Sequence, residues 1–383
     1  MTKYKKINLK NQNDILKKIL SPNITIHPRK VDKPIILYGA GSLGKMAKEF
    51  FDYIRIPFLY VIDKNADKYK SDEYWSGIKI IHPDEVKEMD KKNCLLLICV
   101  VTTPIVALRN QLIKDGWKDV VPFYDVSQYY KNKYPINNGW SVNKFNNKEK
   151  DLVKKVFNSL SDNISRSYYL RFLAWRKLRA EILFDDDSIN NDNRFFIPEI
   201  LNNLNKNEVF VDCGAHKGSV TEKFLKFVKN KYKAVYAIEP DTPNYKILRE
   251  KLKNKPDIKI IQRALSDKNG KEKFEEGFDF LSKLTPKGKK LIKTIKLDSL
   301  NIDATFIKMH LEGKELDALK GSIKTIKKHR PIIVATIYHN TDGIWKTPLF
   351  LMNNIKNYKY YIRTHSWAGT GAVLYCLPEE KFK

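Results

Sequence analysis

The chain has 383 residues, of which 42% are hydrophobic, so it is long enough for two or three domains with full-sized cores. No apolar run approaches the roughly 20 residues of a membrane-spanning helix, and the basic N-terminus lacks the apolar stretch of a secretory signal. We therefore expect a cytoplasmic protein without a transmembrane segment. The net charge is +27, but basic residues are spread along the whole chain, which does not favour nucleic acid as the partner.

Four cysteines lie inside or beside apolar runs and show no metal-ligand spacing: Cys94, Cys99, Cys213 and Cys376. We interpret them as reduced, buried thiols. The sequence thus predicts neither a disulfide framework nor a zinc site.

The front of the chain predicts a first α/β module. Residues 1–33 form an N-terminal extension with one short helix, Asn13 to Leu20. Over residues 34–125, the apolar runs IILY, FLYVID, LLLICV and VVPF alternate with amphipathic stretches, which is typical of βαβ units on a parallel sheet. Residues 126–150 are rich in Asn, Lys and Tyr and predict a linker.

A glycine-rich turn joins the first strand of this module to its first helix. The motif GAGSLG is followed, 24 residues after its first glycine, by an acid at the end of the second strand, as in dinucleotide-binding folds. Such glycines let backbone amides approach a phosphate, and the acid can accept hydrogen bonds from a ribose. The predicted nucleotide-binding residues are Gly39, Gly41, Ser42, Gly44 and Asp63. A turn kept only for packing the strand against the helix is the alternative.

The rest of the chain predicts a second α/β domain. Residues 151–205 form a helical segment that leads into it, and in 206–383 strands and helices alternate again. The last two apolar runs, YKYYIRTH and GAVLYCL, are joined by a connection too short for a helical crossover, so they must pair antiparallel. We therefore predict an α/β protein with two Rossmann-like domains. The second has five parallel strands plus an antiparallel terminal hairpin, the strand plan of class I methyltransferases.

The first strand of the second domain ends in the turn DCGAHKG, and an acid follows 27 residues later. S-adenosylmethionine has no phosphate, so its site needs a close-approach glycine turn for the amino-acid end and an acid for the ribose. A short segment that closes the third strand would lie at the adenine edge. The predicted donor-binding residues are Asp212, Gly214, Ala215, Gly218, Glu239, Asp241, Ala264, Ser266 and Asp267.

Six segments, in order, resemble the FkbM-type S-adenosylmethionine-dependent methyltransferases: VFVDCGAHKGSV, AIEPDTPNYKIL, ALSDKNG, TIKLDSL, FIKMHLEGKELDALKG and the tail YYIRTHSWAGTGAVLYCLP. The resemblance implies S-adenosylmethionine as cofactor and O-methylation, often of sugars in surface glycans or secondary metabolites. Residues 34–125 resemble the nucleotide-sugar-binding N-terminal domain of bacterial sugar acyltransferases, which implies a nucleotide or nucleotide sugar as its ligand. One departure is His310, where the family usually has Asp.

Methyl transfer requires an acceptor hydroxyl that is held near the methyl group and loses its proton. The candidate catalytic residues are His310, Glu312, His339 and Asp342. Our hypothesis is that one of the two histidines acts as the base and one of the two acids orients it. Alternatively, His310, Glu312 and His339 hold a divalent cation that lowers the hydroxyl pKa. His365 and Trp367, with Trp345, are predicted to border the acceptor cleft.

The leading interpretation is an O-methyltransferase for a sugar or other small-molecule acceptor. Two alternatives remain at this point: a nucleotide-sugar-binding protein or NAD-dependent oxidoreductase that acts through GAGSLG, and an RNA methyltransferase favoured by charge alone. The sequence leaves the acceptor, the ligand of the first module, metal dependence and the oligomeric state open.

Overall fold

The computed structural model describes residues 2–4, 9–21, 28–134, 145–184, 189–275, 283–284 and 288–381. The elements up to residue 134 are β1 (Thr2–Tyr4), α1 (Leu9–Leu20), β2 (Ile35–Tyr38), α2 (Ser42–Ile54), β3 (Val61–Ile62), α3 (Ala66–Lys70), β4 (Ile80–Ile81), α4 (Glu88–Asn93), β5 (Leu95–Ile98), α5 (Ile105–Lys114), β6 (Val120–Pro122) and α6 (Phe123–Tyr129). Helix α1 thus begins four residues before the predicted Asn13 start.

The later elements are α7 (Asn147–Ser159), α8 (Asn163–Leu178), β7 (Ile182–Phe184), α9 (Pro198–Leu201), β8 (Val209–Cys213), α10 (Ser219–Phe227), β9 (Ala234–Ile238), α11 (Thr242–Leu252), β10 (Ile258–Ile261), β11 (Ala264–Leu265), β12 (Gly270–Glu275), β13 (Lys283–Leu284), β14 (Lys290–Ile295), β15 (Phe306–Met309), α12 (Glu315–Lys320), α13 (Ile323–His329), β16 (Ile332–Thr336), α14 (Gly343–Asn354), β17 (Tyr358–Thr364) and β18 (Ala372–Pro378). Among the described residues, no helix has the length and apolar character needed to cross a bilayer.

The chain forms two compact units. The first comprises Met1–Asn147, Ser167–Ile189 and Ser366–Gly371. Its sheet has the order β4-β3-β2-β5-β6, and all of its pairs are parallel. Strands β2 and β5 are apolar and buried along their whole length, because helices cover both faces of a parallel sheet.

The second unit comprises Lys148–Arg166, Asn190–His365 and Ala372–Lys383. Its main sheet has the order β10-β9-β8-β15-β16-β18-β17. The first five strands are parallel, whereas β18 runs antiparallel to both β16 and β17. This arrangement confirms the predicted fold class, including the terminal hairpin.

The predicted third strand, IKIIQRALSD, is broken in two. Strand β10 ends at Ile261, and β11 pairs instead with β14 in a separate four-stranded sheet of order β11-β14-β12-β13. A tight turn causes the break, since the Arg263 amide donates to the Ile261 carbonyl at 3.2 Å. The chain therefore leaves the main sheet before Ala264.

Two stretches differ from the predicted organisation. Residues 126–129, which the sequence placed in the linker, continue helix α6, where Val126, Ser127 and Gln128 are buried; linker residues 135–144 lie outside the described residues. Within the predicted helical segment 151–205, Ser167–Ile189 belongs to the first unit. There the Glu181 carboxylate accepts hydrogen bonds from two backbone amides that begin α5. All four cysteines are buried and free.

Candidate active site

A cavity of about 380 Å³ opens in the second unit, beside the carboxyl ends of β8, β9 and β15. Ligands of open parallel sheets bind at this edge, and the volume lies within the range of small-molecule sites. The predicted residues that line it are Gly214, Ala215, Glu239, Ala264, His310 and Glu312. The cavity thus brings residues of the predicted donor and acceptor sites together.

The turn after β8 is shaped around Gly214. This residue has a φ of +74°, and a Cβ added to it would lie 2.0 Å from the His310 carbonyl oxygen. The amides of Gly214 and Ala215 both donate to the Ile238 carbonyl at 3.0 Å. Gly218 has a φ of +85° and packs against Leu248, outside the cavity lining. A side chain at position 214 would therefore collide with the backbone at His310 and displace the turn that lines the cavity.

Glu239 follows β9 and faces the cavity, although only 6% of it is exposed. Its carboxylate accepts hydrogen bonds from the amides of His216 at 2.7 Å and Asp241 at 2.9 Å. Burial raises the pKa of this carboxyl to about 7, although the two hydrogen bonds act to lower it. Each oxygen keeps a lone pair that can accept a hydrogen bond from a ribose hydroxyl. Asp241 itself accepts from the Asn244 amide as the N-cap of α11 and does not line the cavity.

A buried ion pair supports the glycine turn. Asp212 is fully buried, and its carboxylate accepts from Lys308 Nζ at 2.8 Å and Thr221 Oγ1 at 2.7 Å. Lys308 Nζ also donates to the Gly214 carbonyl at 2.8 Å, and Lys308 lines the cavity. Asp212 is thus placed as the counter-ion of Lys308 and not as a direct donor ligand. Sequence reasoning missed Lys308, although a lysine inside the apolar run FIKM requires a buried acid as partner.

The segment predicted to contact adenine lies only partly at the cavity. Ala264 lines it, but the Ser266 amide donates to the Ile295 carbonyl and the Ser266 hydroxyl donates to Glu272 at 2.7 Å. Asp267 is next to Ser266 and likewise outside the lining. Both residues turn away because the chain has already joined the second sheet at β11.

At the other end of the cavity, His310 and Glu312 leave the end of β15. His310 Nε2 lies 3.2 Å from Glu312 Oε1 and 3.3 Å from the Tyr338 hydroxyl. The His310 ring stacks on the His339 ring with 5.1 Å between centroids. Burial lowers the pKa of His310 to about 3 despite the nearby carboxylate. His310 is therefore a neutral imidazole at neutral pH.

His339 lies behind His310 and is only 1% exposed. Its Nδ1 is 2.7 Å from Glu315 Oε1, and its Nε2 is 3.4 Å from Glu312 Oε1. Burial alone would lower the pKa of His339, but the charges of Glu312 and Glu315 raise it well above the usual value. Burial would likewise raise the pKa of Glu312, yet the charge of His339 and hydrogen bonds from both histidines bring it below its usual range. Of the two histidines, His310 lines the cavity and His339 lies behind it.

Glu315 orients His339, and the sequence analysis missed it. Its carboxylate accepts from the amides of Leu311 and Gly313, each at 3.0 Å, and from Thr336 Oγ1 at 2.6 Å. The predicted orienting acid, Asp342, instead binds Lys346 Nζ at 2.6 Å on helix α14 and does not line the cavity. Asp342 lies one turn before Lys346 and pairs with it there, and its orienting role stays a prediction.

The residues predicted to border the acceptor cleft do not line the cavity. His365 is buried, with Nδ1 2.6 Å from the Asn190 carbonyl and Nε2 2.7 Å from the Tyr375 hydroxyl. Burial lowers the pKa of His365 to about 4. In the first unit the Trp367 ring packs against the Arg171 guanidinium, and Trp345 is buried in α14. These three side chains have packing roles.

The glycine turn of the first unit is fixed by packing at two positions. Gly39 has a φ of +114°, and its added Cβ would meet the Cys99 carbonyl at 2.8 Å. The Cβ of a residue at Gly44 would lie 2.0 Å from the Gly39 carbonyl. By contrast, within the described part of the chain a Cβ added to Gly41 would meet no atom closer than the Tyr69 hydroxyl, at 3.7 Å. The space above Gly41 is compatible with a ligand at the start of α2.

Asp63 closes this turn from the end of β3. Its carboxylate accepts from the Ala40 amide at 2.8 Å and the Asn65 amide at 2.7 Å. Ser42 is the first residue of α2. Glu239 makes the same kind of contact in the second unit, so both units brace their glycine turns with the acid that follows the second strand.

Comparison with known proteins identifies the second unit. Residues 212–362 match the family model of the methyltransferase FkbM domain. The crystal structure of methyltransferase FkbM from Methylobacillus flagellatus KT aligns with a TM-score of 0.68 and 16% identity, over 96% of this chain and all of that one, which shows a shared fold. None of the curated proteins matches the sequence.

Two further solved structures align over about half of the chain. An rRNA methylase from Streptococcus thermophilus is 13% identical, with a TM-score of 0.32, over 48% of this chain and 95% of its own. Fibrillarin from Aeropyrum pernix, with natively bound S-adenosyl-L-methionine, is 10% identical, with a TM-score of 0.30, over 45% of this chain and 69% of its own. On the family match and the geometry above, residues 212–362 form an FkbM-type methyltransferase domain with S-adenosylmethionine as its methyl donor.

Proposed function

We propose that the protein is an O-methyltransferase that acts on a hydroxyl of a sugar, nucleotide sugar or surface glycan. The observation that carries this proposal is a neutral imidazole, His310, beside the Glu312 carboxylate on the same cavity as Gly214 and Glu239. A sulfonium methyl group is already activated, so the protein must chiefly position the acceptor and remove one proton.

In this proposal the donor occupies the side of the cavity formed by the glycine turn. The Glu239 carboxylate accepts hydrogen bonds from both ribose hydroxyls. The amino-acid portion of the donor lies beside the turn at Gly214, which lines the cavity and packs so closely on the His310 carbonyl that a Cβ would displace it. Lys308 holds the turn in place through its bonds to Asp212 and to the Gly214 carbonyl.

The acceptor hydroxyl lies between the donor methyl group and His310. Its oxygen attacks the methyl carbon as the carbon–sulfur bond breaks and S-adenosylhomocysteine leaves. The hydroxyl proton passes to a nitrogen of the His310 ring. The Glu312 carboxylate, 3.2 Å from His310 Nε2, stabilises the imidazolium that forms, and such proton transfer contributes about 10²–10⁴ in rate.

The charge of the lining supports an anionic acceptor. Besides Lys308, which is paired with Asp212, the cations Arg194, Lys223, Arg263 and Lys314 line the cavity, whereas its acids are Glu239 and Glu312. A nucleotide sugar carries phosphates that such cations bind. The Phe195 ring, also in the lining, offers an aromatic face on which a sugar can pack.

The test is methyl transfer from labelled donor to a panel of nucleotide sugars, surface glycans and RNA. We expect labelled O-methyl sugar, and we expect His310→Ala to retain S-adenosylhomocysteine binding while turnover falls about 100-fold or more. His329→Ala, whose ring lies 3.4 Å from Asp303 on another surface, is the matched control. Labelled RNA without labelled sugar, or wild-type turnover in His310→Ala, would contradict the proposal.

A second proposal concerns a ligand of the first unit, and it is favoured by the hydrogen bonds that Asp63 accepts in the glycine turn. Because Asp63 braces the turn and Gly41 leaves open space, we propose that this turn binds the nucleotide part of a nucleotide sugar. Calorimetry with a nucleotide sugar and with NAD should show binding that Gly41→Val abolishes. A nicotinamide absorbance change would favour the oxidoreductase alternative instead.

A further inference from the structure

We infer that His310, Glu312 and His339 form a binding site for one divalent transition-metal ion at the acceptor end of the cavity. The role of that ion toward an acceptor hydroxyl rests on the proposed function, whereas its binding does not. The three side chains each offer one ligand atom, and these atoms all lie within 4.8 Å of one another.

The spacing around Glu312 fits a metal. Its Oε1 lies 3.2 Å from His310 Nε2 and 3.4 Å from His339 Nε2. Ligands bound tetrahedrally at about 2.0–2.1 Å stand about 3.3 Å from one another. Two edges of a coordination tetrahedron are therefore already present. The third edge joins the two histidines, whose ligand nitrogens lie within 4.8 Å of each other and would stand about 3.3 Å apart around a bound ion.

The bonding of His339 indicates which of its nitrogens is the ligand. Nδ1 is held by the Glu315 carboxylate at 2.7 Å, whereas Nε2 is buried and faces Glu312 Oε1 at 3.4 Å. A carboxylate on the far nitrogen of a histidine is the usual support of a metal ligand. In the metal-free protein a proton on Nε2 lies between this nitrogen and the Glu312 carboxylate. A metal ion bound between the same two atoms would replace that proton.

Glu312, the proposed carboxylate ligand, has an unfavourable backbone conformation. Glu312 has a φ of +49°, in the left-handed region that costs a non-glycine residue about 1–2 kcal/mol. The loop is tied down on both sides, because Glu315 accepts the amides of Leu311 and Gly313. Asn340 donates to the Gly313 carbonyl at 2.6 Å as well. Such strain, maintained by surrounding bonds, is typical of functional positions.

The donor set also selects the kind of ion. Two imidazole nitrogens and one carboxylate suit Zn²⁺, Mn²⁺ or Fe²⁺, whereas Mg²⁺ and Ca²⁺ prefer oxygen ligands alone. Three protein ligands leave at least one position open, and His310 and Glu312 line the cavity. With the ion bound, His310 is a ligand and not the base, and an acceptor hydroxyl at the open position has its pKa lowered by the ion instead.

The experiment titrates chelator-stripped full-length protein with Zn²⁺ by calorimetry and with Co²⁺ by visible absorption. We expect one ion per chain and a Co²⁺ ligand-field band. His310→Ala and Glu312→Gln should weaken binding more than 100-fold, and Glu315→Gln about 10–100-fold. The control His329→Ala, which removes a histidine paired with Asp303, should bind as the wild type does.

Each variant is also measured for S-adenosylhomocysteine binding and thermal midpoint, so that loss of metal is separated from loss of fold. Glu312→Gln is nearly isosteric and keeps the test valid if His310→Ala unfolds. Binding of less than one ion per ten chains, or equal metal affinity in the wild type and Glu312→Gln, would refute the metal site. His339 would then carry a proton in place of the ion. A wild type that binds Zn²⁺ but methylates no acceptor in the panel would refute the proposed function and not the metal site.

Discussion

The ionisation of Glu239 should control donor affinity. Burial raises the pKa of this carboxyl to about 7, and both oxygens already accept backbone amides, so only the ionised form has lone pairs ready for two ribose hydroxyls. About three quarters of Glu239 is ionised at pH 7.5 and about a tenth at pH 6.0. S-adenosylhomocysteine should therefore bind about eightfold more weakly at pH 6.0 than at pH 7.5.

Calorimetry over this pH range measures the effect, and Glu239→Gln is the control. The variant should bind more weakly at every pH, because a buried amide donor then faces a backbone amide at a cost of about 1–3 kcal/mol. Its remaining affinity should not change with pH. A wild-type affinity that is flat between pH 6.0 and 7.5, or a slope that persists in Glu239→Gln, would refute the assignment.

The same pKa predicts the pH dependence of stability without donor. A carboxyl whose pKa is raised in the folded state stabilises the fold fully below its unfolded pKa, near 4.3, and this contribution disappears as pH rises through about 7. Apart from the contribution of other titrating groups, the change in Glu239 ionisation should lower the free energy of unfolding by about 4 kcal/mol across this interval. In urea unfolding without donor, this loss should be absent in Glu239→Gln. Gly214→Ala should abolish detectable S-adenosylhomocysteine binding, since its Cβ would lie 2.0 Å from a carbonyl oxygen; Gly77→Ala, with a φ of +77° and open space around it, should show the conformational cost alone, about 1–2 kcal/mol in unfolding. Lys308→Met should destabilise the fold by about 3–5 kcal/mol, because it leaves the fully buried Asp212 without its counter-ion, and adding Asp212→Asn should restore part of the loss in urea unfolding. Asp342→Asn should keep turnover within about twofold of wild type, since it alters a partly exposed pair with Lys346; a tenfold loss would return Asp342 to the catalytic site.

The sequence was sufficient for the parallel sheets and the terminal hairpin because strand patterns and connection lengths are local properties. Apolar runs such as IILY and LLLI had to be buried on both faces, and a short connection between β17 and β18 excluded a crossover. Gly214 and Glu239 were found for the same reason, since both follow strands of the main sheet at predictable positions.

The contacts that assign roles within the site depend on side chains far apart in sequence. Glu315 orients His339 from 24 positions away, whereas the nearer Asp342 pairs with Lys346 one helical turn on. Lys308 and Asp212 meet across neighbouring strands β15 and β8. The chain leaves the main sheet after Ile261 because β11 pairs with β14. A pattern of apolar residues does not specify that pairing.

The separate sheet formed by β11, β12, β13 and β14 has a consequence for how the enzyme can diversify. Phe274 and Leu284 from this sheet face the cavity and pack with Ala264 and Ile292 in a small core of their own. The wall they form is therefore independent of the strands that carry Glu239 and His310. Insertions or substitutions in this excursion can therefore reshape one wall of the pocket while the strands that carry Glu239 and His310 keep their positions.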